Sequence, residues 1–150
     1  MAPPSLKISL KGRALRLLSQ REHSRTELVR KLTPLEEVPG ELAQALDALQ
    51  AKGFIDEARV LDSVINHRAP KLGAGRIKQE LQAKGLAPEA IQAALAQLKG
   101  SELERAQAVW QKKFGAPPAS AGERAKQYRF LLARGFSTEV VRRVVSGDEP

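Results

Sequence analysis

The chain reads Leu49-Gln-Ala-Lys52-Gly53-Phe54-Ile-Asp-Glu57 at one helix boundary, and the same pattern returns at residues 81–89 and 131–139. In each copy a leucine stands four residues before a glycine, a lysine or arginine precedes the glycine, an apolar residue follows it, and a glutamate comes four residues after it. A cation stabilises a helix C-terminus, glycine adopts the left-handed conformation that ends a helix, and glutamate stabilises the next N-terminus. We therefore predict three helix–turn–helix corners in which the apolar residue packs back on the preceding helix, with structural caps at Gly53, Gly85 and Gly135.

The rest of the chain follows the same helical pattern. Ser24-Arg-Thr-Glu27 and Ser101-Glu-Leu-Glu104 both match a capping box, so we expect Ser24 and Ser101 to cap helices. Apolar residues recur at helical spacing between glycines and prolines, and no stretch alternates as a strand does. This predicts an all-α protein of about nine short helices. Grouped by threes, they form three tandem three-helix repeats in an elongated, curved array, at 11–53, 54–100 and 101–147 after an N-terminal tail at 1–10.

Composition excludes several classes of site. The 150 residues contain no cysteine and only two histidines, His23 and His67, without an HExxH pattern, so we expect no metal and no cofactor. No Ser-His-Asp or paired-carboxylate spacing indicates an enzyme. The apolar runs are too short to span a membrane, and residues 1–10 lack the hydrophobic region of a signal peptide, so we expect a cytoplasmic protein.

Two local features allow a functional and a structural interpretation. The stretch from Arg68 to Arg76 is rich in glycine and cations but lacks the GxxxxGK[ST] pattern, so it is predicted to be a flexible basic loop. Its glycines leave open a hypothesis in which backbone N–H groups approach a phosphate. Trp110 and Phe114 lie one helical turn apart and are expected in the core rather than stacked on bases.

Positive charge is concentrated in segments. The chain carries 25 Lys and Arg against 17 Asp and Glu, a net charge of +8. Eight cations and two acids lie between Lys7 and Lys31, and nine cations and two acids between Arg105 and Arg143. Such segments favour contact with nucleic acid or an acidic protein face, although a plain soluble surface remains the alternative. We predict a basic track for DNA or a partner at Arg21, Arg25, Arg30, Lys31, Arg59, Arg68, Lys71, Arg76 and Lys78.

Longer blocks carry a family resemblance. Residues 14–32 (ALRLLSQREHSRTELVRKL), 49–59 (LQAKGFIDEAR) and 76–85 (RIKQELQAKG) resemble the RecX regulatory proteins, and the similarity runs from about Lys11 to Val145. Two places differ from the family. Arg59-Val60-Leu61 stands where the family usually has Arg-Phe-Ala, and Glu36-Glu37-Val38-Pro39 replaces a basic-glycine turn.

The resemblance implies a function. RecX proteins modulate, and mainly inhibit, the RecA recombinase. They are thought to lie in the groove of RecA filaments on single-stranded DNA, where they block growth or promote disassembly without an active site of their own. We therefore expect RecA filaments as the partner, weak and non-specific binding to single-stranded DNA, a monomer, no membrane, and a role in recombination regulation, DNA repair and the SOS response.

Two other classes compete with this interpretation. A helix–turn–helix transcription regulator would read DNA with a recognition helix whose first residues contact bases. The helices after the corner glycines begin instead with Asp56-Glu57, Pro88-Glu89 and Thr138-Glu139, and their carboxylates repel phosphate. The second competitor is a protein scaffold that binds no nucleic acid, and the predicted basic track disfavours it.

Overall fold

The structure, a computed structural model, describes residues 8–147. This range contains nine α-helices. No strand occurs in this range, so the predicted all-α class is confirmed. Two short 3₁₀ turns, Thr33–Leu35 and Lys99–Ser101, complete the order. Most of the predicted tail, residues 1–7, lies outside the described range, and α1 begins within its last part. The helices are α1 Leu10–Gln20, α2 Arg25–Leu32, α3 Glu41–Ala51, α4 Glu57–Arg68, α5 Ala74–Ala83, α6 Pro88–Leu98, α7 Glu102–Lys113, α8 Ala121–Ala133 and α9 Thr138–Ser146.

The chain divides into two compact units, unit 1 (Met1–Leu61) and unit 2 (Asp62–Pro150). A buried cluster in unit 1 consists of Leu10, Ala14, Leu28, Leu32, Leu42, Leu46, Leu49 and Ile55. A cluster in unit 2 consists of Ala106, Leu131, Phe136, Val141, Val144 and Val145. The boundaries of the three repeats, 11–53, 54–100 and 101–147, stay a prediction.

The start of α2 has the reciprocal hydrogen bonds that its sequence predicts. Ser24 Oγ accepts from the Glu27 amide at 3.1 Å, and Glu27 Oε1 accepts from the Ser24 amide at 3.0 Å. The backbone N–H groups of Ser24 and Glu27 are therefore satisfied by local side chains. Ser24 itself is fully buried, so this cap also belongs to the interior of unit 1.

The predicted capping box at Ser101 is wrong. Ser101 has helical backbone angles, φ −106° and ψ 0°, and its side chain makes no capping bond. Because the 3₁₀ turn Lys99–Ser101 runs directly into α7, no extended residue precedes the helix, and the geometry of an N-cap cannot form. The Ser101 hydroxyl donates to the Leu98 carbonyl instead and accepts from Arg105 Nε, both at 3.1 Å.

The three corners share one backbone geometry. Gly53, Gly85 and Gly135 adopt φ of +83°, +72° and +94°. In each corner the amide after the glycine donates to the carbonyl five residues earlier, at 2.9 to 3.4 Å, as in a Schellman cap.

The apolar residue after the corner glycine is exposed in unit 1 but buried at both corners of unit 2. Leu86 and Phe136 are buried, at 6% and 3% exposure, as predicted. The prediction fails for Phe54, which is 47% exposed. The next residue, Ile55, is 2% exposed and belongs to the unit 1 cluster, so it fills the place that Phe54 was expected to take.

Candidate functional site

Arginines of the predicted basic track in unit 1 are paired with acids. Arg21 donates to Glu27 Oε2 at 2.8 Å, and Arg25 lies 2.7 Å from Asp47 Oδ1. The pairing partially cancels the positive charge that the sequence places on this unit. Because these pairs are partly exposed to solvent, each contributes little to stability, and a stronger anionic partner can compete for the guanidinium.

Arg59 makes several hydrogen bonds within unit 1. Its Nε donates to Glu22 Oε1 at 2.9 Å, and its Nη2 donates to the Gly53 carbonyl at 2.7 Å. The Glu22 carboxylate raises the pKa of the guanidinium, with a smaller contribution from Asp56. Arg59 thus connects the first corner to the turn before α2.

Lys31 contacts a buried histidine. Its Nζ lies 3.2 Å from His23 Nε2, and His23 Nδ1 lies 3.0 Å from the Arg21 carbonyl. His23 is 1% exposed, and burial is the main cause that lowers its pKa. The arrangement fits a neutral imidazole that donates through Nδ1 and accepts from the lysine through Nε2. Arg30, the remaining track residue in this unit, is exposed on α2.

The track residues of unit 2 divide into paired and unpaired cations. Arg68 Nε donates to both carboxylate oxygens of Glu80, at 3.1 and 3.2 Å, and Arg76 Nη1 donates to the Ala133 carbonyl at 2.8 Å. Lys71 and Lys78 are exposed and form no ion pair within residues 8–147. Within the described residues, these two lysines are therefore the track members of this unit that neither a carboxylate nor a carbonyl engages.

The hypothesis that the glycine-rich stretch binds a phosphate is wrong. The amides of Gly73 and Gly75 donate to the carbonyls of Arg134 and Gly135, at 2.8 and 3.1 Å. The Ala74 amide donates to Glu102 Oε1 at 3.2 Å. A Cβ on Gly73 would overlap the backbone of Gly135, so this glycine permits close packing of two backbones and not the approach of a ligand.

Arg105 fixes the connection between α4 and α5. Its Nη1 donates to the carbonyls of Ala69 and Leu72, at 2.8 and 2.7 Å. Burial lowers the pKa of this half-buried guanidinium, which nevertheless stays charged at neutral pH. The stretch that the sequence predicts to be a flexible loop is thus bound to α7.

Three cations outside the predicted basic track cluster in unit 2. Lys112, Lys113 and Arg134 line one open cleft together with Lys71. The signal was present in the sequence as the excess of cations between Arg105 and Arg143, but it did not indicate which of the nine share a surface. Of the two aromatic residues expected in the core, Trp110 lies against the unit 2 cluster and donates to Gln127 Oε1 at 2.9 Å. Phe114 is half-buried and contacts the Phe130 ring.

Residues 8–147 contain no group of three or more His, Asp or Glu side chains placed to hold a metal ion. None of the helices there has both the length and the apolar character that crossing a membrane requires.

Comparison with known proteins gives a consistent result. Residues 56–95 match the family model described as the second three-helix domain of RecX, and residues 101–145 match the third. The regulatory protein RecX of Leptothrix cholodnii is 51% identical, over 97% of this chain and 92% of the relative. The regulatory protein RecX of Ralstonia nicotianae is 48% identical, over 98% and 92%.

Solved structures share the fold. A crystal structure of regulatory protein RecX superposes with a TM-score of 0.76 at 23% identity and covers 93% of this chain and 72% of that one. RecX from Lactobacillus salivarius superposes with a TM-score of 0.73 at 19% identity, over 92% and 93%. At these identities the likeness concerns the fold alone.

Proposed function

This chain belongs to the RecX family of regulatory proteins, and we propose that it binds RecA filaments on single-stranded DNA and inhibits the recombinase. Inhibition follows from blocked filament extension or promoted disassembly. The observation that carries the proposal is the similarity to regulatory relatives over nearly the whole chain. The protein acts by binding, as a cytoplasmic monomer, and reduces the ATPase, strand-exchange and co-protease activities of RecA without catalysis of its own.

We propose that contact with the filament uses cations that have no internal partner. Lys71 and Lys78 meet this description within residues 8–147, whereas Arg59, Arg68 and Arg76 are engaged by the protein itself. An unpaired lysine gains more from a phosphate or carboxylate because no existing ion pair must be broken first. Paired arginines contribute to binding only where a partner anion replaces the internal one.

Sequence-specific DNA binding is the alternative, and the helix starts disfavour it. Asp56 Oδ1 accepts from the amides of Ala58 and Arg59, at 3.0 and 3.2 Å, so a carboxylate occupies the start of α4. A recognition helix places this end beside the bases and the phosphate backbone. Electrostatic repulsion would therefore oppose insertion of α4 into a major groove.

The RecA ATPase on circular single-stranded DNA tests the proposal. We expect the full chain to reduce the ATPase rate at a protein-to-RecA ratio well below one, because one bound molecule that stops growth affects many RecA subunits. No change in the rate at equimolar protein would contradict the proposal.

Binding measurements separate the remaining functions. In one buffer, affinity is measured for bare single-stranded DNA, a duplex library and RecA filaments. We expect the tightest binding to the filaments and weak binding to bare strands, with log K falling by roughly 0.7 per contacted phosphate per log unit of salt. Preference for one duplex sequence, with no gain from RecA, would indicate a transcription regulator.

A further inference from the structure

An open cleft of about 590 Å³ lies in unit 2, on the side where α7 and α8 meet the connection after α4. Its apolar surface comes from Pro70, Ala108, Val109 and Phe130. Its remaining lining residues are cations: Lys71, Lys112, Lys113 and Arg134. No aspartate or glutamate of the described chain lines it.

The walls of the cleft are fixed by hydrogen bonds. Arg105 donates to the carbonyls on either side of Pro70 and Lys71, and this holds the connection against α7. On the α8 side, the Gly73 amide donates to the Arg134 carbonyl at 2.8 Å. A ligand therefore meets a preformed surface, which reduces the entropy that binding must overcome.

Among the residues that the structure describes, no carboxylate pairs with the four cations. None of them forms an ion pair within residues 8–147, in contrast to Arg68, which pairs with Glu80 in the same unit. Like charges that converge on an apolar surface without counter-charges repel each other. An anionic ligand relieves this repulsion, so charge complementarity points to an acidic occupant.

The aromatic ring in the cleft favours a peptide over nucleic acid. Lys113 Nζ and Arg134 Cζ lie 5.3 and 4.9 Å from the centre of the Phe130 ring, and the Phe114 ring lies edge-on at 5.4 Å. A nucleobase that stacks on Phe130 must first displace one of these neighbours. Carboxylates reach the same cations from outside without disturbing the ring.

We propose that this cleft binds an acidic segment of a partner protein, with one apolar side chain of the segment on Pro70 and Val109 and its carboxylates on the four cations. The inference goes beyond the proposed function, because it assigns a binding chemistry to one surface whichever protein supplies the segment.

Fluorescence anisotropy with a synthetic peptide tests it. The probe is a fluorescein-labelled octapeptide of aspartate and glutamate with one central leucine, titrated with the full chain at about 0.15 M salt. We expect Lys112→Glu with Lys113→Glu to weaken peptide binding by about tenfold, since two attractions become repulsions. Lys71 lines the opposite wall of the cleft, and we expect Lys71→Glu to weaken peptide binding as well. Replacing the central leucine of the probe by serine is expected to weaken binding as well.

A matched control separates the cleft from net charge. Lys52→Glu with Lys99→Glu changes the net charge by the same amount at exposed lysines outside the cleft, and we expect less than a twofold effect. Circular dichroism verifies that each variant is folded. Equal losses in the cleft and control variants, or no binding of the probe, would overturn the proposal. An oligothymidine that displaces the probe and itself loses binding in the Lys112→Glu, Lys113→Glu variant would assign the cleft to nucleic acid instead.

Discussion

At the scale of single residues, we expect His23 to couple folding to pH. Its imidazole is 1% exposed and lies between the Arg21 carbonyl and the Lys31 amine. Burial disfavours the charged form and lowers the pKa below the ordinary value of 6.5. Below that value the unfolded chain takes up a proton that the folded chain resists, so protonation favours unfolding.

We therefore expect the free energy of unfolding to decrease as the pH falls through about 6.5. Urea denaturation at pH 7.5 and pH 5.5 measures the change. His23→Gln, which removes the titrating group, is expected to reduce the difference between the two pH values, whereas His67→Gln at the exposed histidine leaves it intact. A pH dependence that is the same in wild type and His23→Gln would assign the effect to other groups.

At the scale of elements, the corners permit a comparison between backbone strain and packing. Gly53 and Gly135 have similar positive φ, +83° and +94°, so alanine at either position is strained by about 1–2 kcal/mol. A Cβ on Gly53 meets nothing within 4 Å, whereas a Cβ on Gly135 lies 2.5 Å from the Arg76 amide nitrogen.

We expect Gly135→Ala to lower the free energy of unfolding by clearly more than Gly53→Ala, which costs about 1–2 kcal/mol. Urea denaturation followed by circular dichroism measures both. Equal losses of unfolding free energy in the two variants would mean that α5 moves away from the third corner at no cost.

Helices were predictable from sequence because most of their signals are local. Ser24 and Glu27 are three residues apart, and each corner glycine lies beside the helix that it ends. Even the valine-rich α9, whose β-branched residues also suit a strand, forms the expected helix. The failure at Ser101 has a local cause as well: a 3₁₀ turn replaces the extended residue that a capping box needs. The wrong phosphate-binding hypothesis at Gly73 has a cause that is not local, because the Gly73 amide donates to the carbonyl of Arg134, far along the chain.

At the scale of the whole molecule, the sequence predicts where cations are frequent but not which of them remain available. Arg59 hydrogen-bonds to Glu22, 37 residues away in the sequence, and Arg76 hydrogen-bonds to the Ala133 carbonyl, 57 residues away. Such contacts depend on the tertiary fold and leave no pattern in a segment's composition. The surface that Lys112 and Lys113 share with Lys71 is unpredictable for the same reason, since it forms only when the connection after α4 packs against α7.

The net charge of +8 also governs how fast the protein finds an anionic partner. At about 0.02 M salt we expect Lys52→Glu with Lys99→Glu to slow association with single-stranded DNA, because long-range attraction is reduced, while dissociation stays unchanged. Stopped-flow fluorescence measures both rates, and at about 0.5 M salt the difference in association is expected to vanish. A faster dissociation would mean that Lys52 or Lys99 touches the DNA directly.

The connection between α4 and α5 has a consequence for engineering the protein. Arg105 donates to two carbonyls of this connection, and the Gly73 amide at its end donates to the Arg134 carbonyl. Extra residues in the connection would break these bonds. In the connection between α7 and α8, Gln127 Nε2 donates to the Ala116 carbonyl at 3.1 Å and Glu123 Oε2 accepts from the Ala119 amide at 2.7 Å, and the exposed Pro117 lies between these two bonds. A short tag or fluorophore-bearing peptide inserted between Pro117 and Pro118 should leave the helix content and unfolding midpoint nearly unchanged. The same insertion after Lys71 should destabilise unit 2, which makes the later loop the place to label this protein for single-molecule work.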